Sequence, residues 1–251
     1  GMRRERRVAR ALADAGDDSD IMQLAGRWVF EFSGSACQGY TLNSRIVMRF
    51  EMSDGPSTID QRVSSFEDAK GETFRFSTKS FIDQGFDSEG TGVARLEPSG
   101  TVIDYDAPED VEHSFASTKF PTAQLRELLQ KAKAGERFYE TVIFDGTEFT
   151  DEPVLVSMVV GSPKPGEKDD LERDALGVLA QDTFRPVTAA YFDGEGADGE
   201  ETSDYNVSFK LHENGVQRDM LIRYENYSMT ARLSELTILD NDEKCEAETR
   251  G

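Results

Sequence analysis

Period-2 alternation of apolar and polar residues runs through most of this chain and constrains it most. Trp28, Phe30 and Phe32 alternate with Val29, Glu31 and Ser33, and Ile46, Met48 and Phe50 alternate with Val47, Arg49 and Glu51. The same pattern recurs at Phe74/Phe76, Ile103/Tyr105, Val111/His113/Phe115, Val142/Phe144 and Val154/Val156/Met158/Val160. It continues at Tyr205/Val207/Phe209/Leu211, Met220/Ile222/Tyr224 and Tyr227/Met229/Ala231/Leu233. Successive strand side chains point to opposite faces, so each run has one apolar face and one wet face. Antiparallel sheets are built this way. About a dozen such strands are expected, so the fold class is mostly β.

Turn chemistry separates the runs. Asp54-Gly55-Pro56, Lys70-Gly71, Ser99-Gly100 and Asn214-Gly215 all fall between alternating segments. Asn214-Gly215 suits a two-residue type I′ hairpin joining a strand ending near His212 to one starting near Gln217. One segment changes period. Leu125, Leu128, Leu129 and Ala132 recur at helical spacing, which predicts a helix over Thr122–Ala134 with Thr122 as N-cap and Gly135 as terminator. A weaker helix is expected at 170–176, and Arg3–Ala15 is a helix candidate with a poor pattern. Ser162–Glu167 and the Gly/acidic run Asp193–Glu201 read as surface loops.

The domain reading is 1–23 as an N-terminal segment, 24–245 as a single β-rich domain and 246–251 as a tail. Gly1 before Met2 resembles the scar of a cleaved tag. Arg3, Arg4, Arg6 and Arg7 form a basic start with no apolar stretch behind it, so a signal peptide is missing from this chain. No run of 18 apolar residues is present, so no transmembrane segment is expected. A net charge of −21 disfavours nucleic acid and anionic membranes as partners, both of which select basic faces.

Cys37 and Cys245 are the two cysteines. They read as one disulfide joining the first strands to the last, and hence an oxidising compartment; the alternative is two unrelated buried thiols. The catalytic inventory is small. His113 and His212 both fall within strand alternation, and neither accompanies a nucleophile elbow. Phe144-Asp145-Gly146-Thr147 reads as a turn rather than an aspartic-protease motif. Asp193–Glu201 does not fit a calcium-loop template. No catalytic, cofactor-binding or metal residues are assigned, and no cofactor is expected. The competing class is a carboxylate-based hydrolase using Asp145 or Glu148.

Several local signatures occur in order: Gly26-Arg27-Trp28-Val29-Phe30-Glu31-Phe32, Ser35-Ala36-Cys37-Gln38-Gly39-Tyr40, Phe120-Pro121-Thr122, Ala132-Lys133-Ala134-Gly135-Glu136, Val142 to Glu148, Glu213-Asn214-Gly215-Val216, Leu233-Ser234-Glu235-Leu236 and Cys245. This set resembles the EipB-like cell-envelope-integrity family of periplasmic proteins in Gram-negative bacteria, over about Leu24 to Cys245. The chain departs from it at the start, where Arg6 to Leu12 stands in place of a His-Arg-x-x-Tyr strand. The resemblance implies a large twisted, spiral antiparallel sheet with one or more helices packed on it. It also implies a Cys37–Cys245 disulfide, periplasmic location and a non-enzymatic role in envelope integrity, as a scaffold or binding module. An unknown envelope protein or a lipid or peptide ligand would be its partner.

Overall fold

The alternating runs form fourteen strands in the computed structural model, which describes residues 4–15, 21–193 and 203–239. They are β1 Arg4–Ala15, β2 Ile21–Ser35, β3 Gly39–Met52, β4 Gly55–Glu67, β5 Thr73–Ile82, β6 Gly85–Glu97, β7 Gly100–Ala107 and β8 Val111–Phe115. After helix α1, Pro121–Ala134, follow β9 Phe138–Ile143, β10 Val154–Val160, β11 Phe184–Asp193, β12 Tyr205–His212, β13 Gln217–Arg223 and β14 Tyr227–Leu239. A four-residue helix α2, Arg173–Leu176, runs into a 3-10 turn between β10 and β11. No helix among the described residues is long and apolar enough to cross a membrane.

All strands belong to one antiparallel sheet in the order β8-β7-β6-β5-β4-β3-β2-β1-β14-β13-β12-β11-β10-β9. The first and last strands are neighbours at its middle, with Arg10 opposite Arg232 and Ala11 opposite Ala231. From that seam one arm runs out to β8 and the other to β9. The sheet is not closed; α1 connects the two free ends.

Three expectations are corrected, the last of them the cap of α1. Arg4–Ala15 is not helical: it is β1, paired on both sides, and β2 begins at Ile21. Two full ladders outweigh the weak helical preference of an Ala- and Arg-rich stretch. Asn214-Gly215 does not form a two-residue turn. Residues 213–216 make a wider loop, in which the His212 N–H donates to Val216 O and Asn214 Oδ1 accepts from the Val216 N–H. Gly215 alone of that pair has a positive φ (92°), whereas two consecutive positive φ angles fall on Asp83 (49°) and Gln84 (68°), between β5 and β6. Asp tolerates this conformation, and the Asp83 carboxylate also accepts from the Thr58 N–H at 2.7 Å, tying two hairpins together.

Helix α1 starts where expected but is capped differently. Thr122 makes no cap; Glu67 of β4, 2% exposed, accepts from the Thr122 and Ala123 N–H groups at 2.6 and 2.8 Å. A carboxylate there meets both the orphan donors and the positive end of the helix dipole. Gly135 ends the helix at φ 81°, as its position predicts.

Three cores form. Leu128 and Ala132 of α1 pack on Tyr139, Val156, Met158, Val187, Phe209 and Leu211 of β9–β12. Phe74, Phe76, Ile103, Tyr105, Phe120 and Phe144 fill the β5–β7 arm, with Phe74 and Phe120 stacked at 5.2 Å. Each such ring contributes about 1.5–3 kcal/mol by burial. The third cluster joins Leu176, Leu179 and Ala180 to Val216 and Leu233.

Candidate ligand cavity

The inward apolar side chains of β2, β3 and β4 belong to none of these cores. Trp28, Phe30, Leu42, Ile46 and Val63 are only partly buried, although their strands are paired on both sides. They face a cavity of about 390 Å³. Across it stand Leu125 and Leu128 of α1, Ile143 of β9, Met158 of β10, Tyr191 of β11, Val207 and Phe209 of β12, Met220 and Ile222 of β13 and Leu233 of β14. Strands far apart in the sheet order thus share one interior, which requires the two arms to curl toward each other. The volume lies in the range of about 300–1,000 Å³ that holds a small molecule.

The wall is mostly apolar, Gln61, Ser65, Gln124 and Gln217 add polar side chains to it, and several of its other polar groups are engaged within the protein. Trp28 Nε1–H donates to Ser44 Oγ at 2.7 Å. Asp145 Oδ1 accepts from the Thr147 N–H and hydroxyl at 2.9 and 2.7 Å. Tyr191 stacks on Tyr205 at 4.5 Å, and burial, with the Asp145 carboxylate secondarily, pushes its phenol up to about 12. Tyr224 lies 5.6 Å from Tyr205 and 4.6 Å from Tyr227, so four tyrosines line the same end of β11–β14.

Arg7 of β1 also reaches the wall. Its Nη1 donates 2.7 Å to Gln217 O, its Nη2 pairs with Glu5, and its guanidinium lies 4.3 Å over the Phe30 ring. Burial pushes the Glu5 carboxyl up, against the pull of Arg7.

Near Arg218 the cavity is backed by a buried ionic network. Arg218 Nη1 donates to Asp170 and Glu172 at 2.8 and 2.9 Å, and its Nε donates to His212 Nε2 at 2.8 Å. Glu172 Oε1 accepts from the Asp219 and Leu233 N–H groups. Burial pushes Glu172 up. Burial also pushes Asp170 upward, but the Glu172 N–H and the Arg218 and Lys210 cations outweigh it and hold its carboxyl below its ordinary value. Burial, and then the Arg218 cation, depress His212 to about 4.

The His212 shift has a pH signature. The folded state resists protonation that the unfolded chain accepts from about pH 6.5 downward. This contribution is fully present above 6.5 and is lost as pH falls toward about 4. Wild-type stability relative to His212→Gln should therefore drop by about 2–3 kcal/mol over that window in urea titrations. Gln retains an acceptor for Arg218 without titrating.

The sequence candidates are dispersed. Asp145 lines the cavity, whereas Glu148 is exposed and does not. His113 sits on β8, 5.8 Å from the rings of Tyr105 and Phe149, while His212 is buried at the end of β12. The carboxylates pushed up by burial, Glu5, Glu67 and Glu172, are each committed to bonds inside the protein. Cys37 lies in the β2–β3 turn; Cys245 lies outside the described residues, as does 194–201 of the acidic loop. Among the described residues no group of three or more His, Cys, Asp or Glu side chains is placed to hold a metal. The sequence pattern does not single out Arg7 or Glu172. Arg218 does share the inward phase of Met220 and Ile222, an ionisable group on an apolar strand face, and that was the available signal.

The chain is thus an open antiparallel spiral sheet around a mostly apolar cavity. The chain belongs to the EipB-like family, whose model matches residues 10–240. It is 41% identical over 228 residues to the cell envelope integrity protein EipB of Brucella abortus, covering 90% of this chain and 80% of that protein. It is also similar to the crystal structure of a β-barrel-like protein of a domain of unknown function from Brucella abortus. The TM-score is 0.89 at 39% identity, covering 95% of this chain and 99% of the other.

Proposed function

We propose that this protein is a non-enzymatic periplasmic binding module that supports envelope integrity by holding an apolar ligand inside the spiral. The observation carrying this reading is the set of inward side chains on β2–β4 that pack into no core and line the cavity instead. In the same proposal the unit runs from β1 to Cys245, residues 246–251 form a tail, and a Cys37–Cys245 disulfide fits an oxidising compartment. The relative's name supports the envelope role. Carboxylate hydrolysis is disfavoured by Asp145, whose Oδ1 is engaged twice by Thr147, and by Glu148, which stands outside the cavity.

Filling the cavity tests the proposal. Bacteria lacking their own EipB-like protein should regain resistance to a membrane-active detergent when the wild-type chain is exported to their periplasm. The double variant I46W/M220W, present at equal level and folded, should fail to restore it. Equal rescue by both would show that the cavity is not what the envelope needs.

A further inference from the structure

The cavity wall is mostly apolar, but its open polar groups are of one kind. Gln61 and Ser65 of β4, Gln124 of α1 and Gln217 of β13 line it. None of these four side chains makes a hydrogen bond among the described residues. The sealed side-chain atoms without a partner lie elsewhere, at Arg7 Nε, Tyr139 Oη and His212 Nδ1. The three amides are therefore within reach of a water-sized molecule.

The charged groups of the wall are largely spent inside the protein. Arg7 pairs with Glu5, and Arg218 with Asp170 and Glu172. Asp145 gives Oδ1 to Thr147, while its Oδ2 has no donor among the described residues. Open donors and acceptors thus stand on both arms of the sheet and on the helix between them. Each amide offers two N–H donors and an accepting carbonyl, and Asp145 Oδ2 accepts.

This set discriminates between occupants. A hydrocarbon would displace water from these groups and replace none of its hydrogen bonds. An ionised fatty acid or an ester brings acceptors at one end and no donor. A sugar donates and accepts, but it would also press hydroxyls against Trp28, Ile46 and Met220. A peptide carries an N–H and a C=O at each residue, with side chains between them that can be apolar.

We infer that the occupant is a short apolar peptide segment whose main-chain amides exchange hydrogen bonds with Gln61, Gln124 and Gln217. Its apolar side chains lie against Trp28, Ile46 and Met220. The volume of about 390 Å³ limits the enclosed part to a few residues. This rests on the cavity being the binding site proposed above, and adds the class of ligand.

The test displaces an apolar fluorescent reporter with a blocked tetrapeptide of leucine and alanine, its fully N-methylated analogue, dodecanoic acid and maltotriose. N-methylation keeps the carbonyls and removes the main-chain N–H groups. Wild type should bind the peptide about tenfold more tightly than the methylated analogue, and more tightly than the acid or the sugar. In Q61M/Q124M/Q217M that preference should shrink to about twofold while reporter binding is unchanged. Methionine keeps the unbranched length of glutamine, and the amides removed bond to nothing in the fold, so melting should match wild type. Should the triple variant melt early, Q61M and Q217M singly carry the same comparison, each with about a threefold loss of peptide affinity. Equal binding of peptide and methylated analogue, a preference undiminished in the variants, or tighter binding of the acid or the sugar than of the peptide would overturn the inference. So would a reporter that binds but is not displaced by the peptide. Absence of reporter binding in wild type would instead remove the binding-module reading itself, and this inference with it.

Discussion

Replacing Glu172 with Ala is expected to cost about 3–5 kcal/mol, because it breaks a buried charge pair on one side only. Glu172 is 1% exposed, and its two oxygens take the Arg218 Nη1, Asp219 and Leu233 donors at 2.9, 3.0 and 2.7 Å. Without it two backbone donors are stranded, and Arg218, 2% exposed, keeps only Asp170 and His212. The damage reaches beyond one contact. Glu172 ties the segment carrying α2 to β13 and β14, and the Leu176–Leu179–Leu233 cluster packs behind it. Glu172→Gln retains a neutral acceptor and should cost less than Ala. Urea unfolding of both variants checks the order; a loss below about 1 kcal/mol for Ala would contradict this account of the network.

The second large effect concerns the proposed Cys37–Cys245 bond. A loop enclosing most of the chain is worth up to about 5 kcal/mol in the chain-entropy treatment, so reduction, or Cys37→Ser, should lower the melting temperature clearly. Cys37 sits in a tight turn where Ser35 Oγ accepts from the Cys37 and Gln38 N–H groups at 3.4 and 3.3 Å, next to the β1–β2–β3 seam. Thiol titration of denatured, unreduced protein from an oxidising compartment should find no free thiol. Two free thiols, with melting indifferent to reductant, would remove the bond and the main physical argument for export.

Much of the sheet was legible residue by residue. A half-buried strand repeats every two residues whatever it packs against, so Trp28/Phe30/Phe32 and Phe209/Leu211 announced strands directly. The Leu125/Leu128/Leu129 stripe announced α1 just as plainly. Gly71, Gly100 and Gly55 mark turns because their φ angles, 74°, 142° and 127°, suit glycine. The site was less legible, for a physical reason. Val63 facing a cavity and Val156 facing a core carry the same local pattern. What separates them is the strand order, set by the pairing of β1 with β14 across nearly the whole chain. The ionic network has the same origin, since Asp170, Glu172, His212 and Arg218 meet only once the segment carrying α2 folds under β12 and β13. Arg4–Ala15 is poorly legible because its own side chains prefer helix weakly, and its two neighbouring strands make it a strand.

Binding of an apolar fluorophore to purified protein, stripped of bound lipid by organic extraction and refolding, tests the central claim most directly. Wild type should bind one molecule per chain with a blue-shifted, enhanced emission. I46W/M220W, with unchanged far-UV dichroism and melting, should lose that binding by tenfold or more, that is by at least about 1.4 kcal/mol. Equal binding by the two proteins would contradict the claim that this interior is a ligand site.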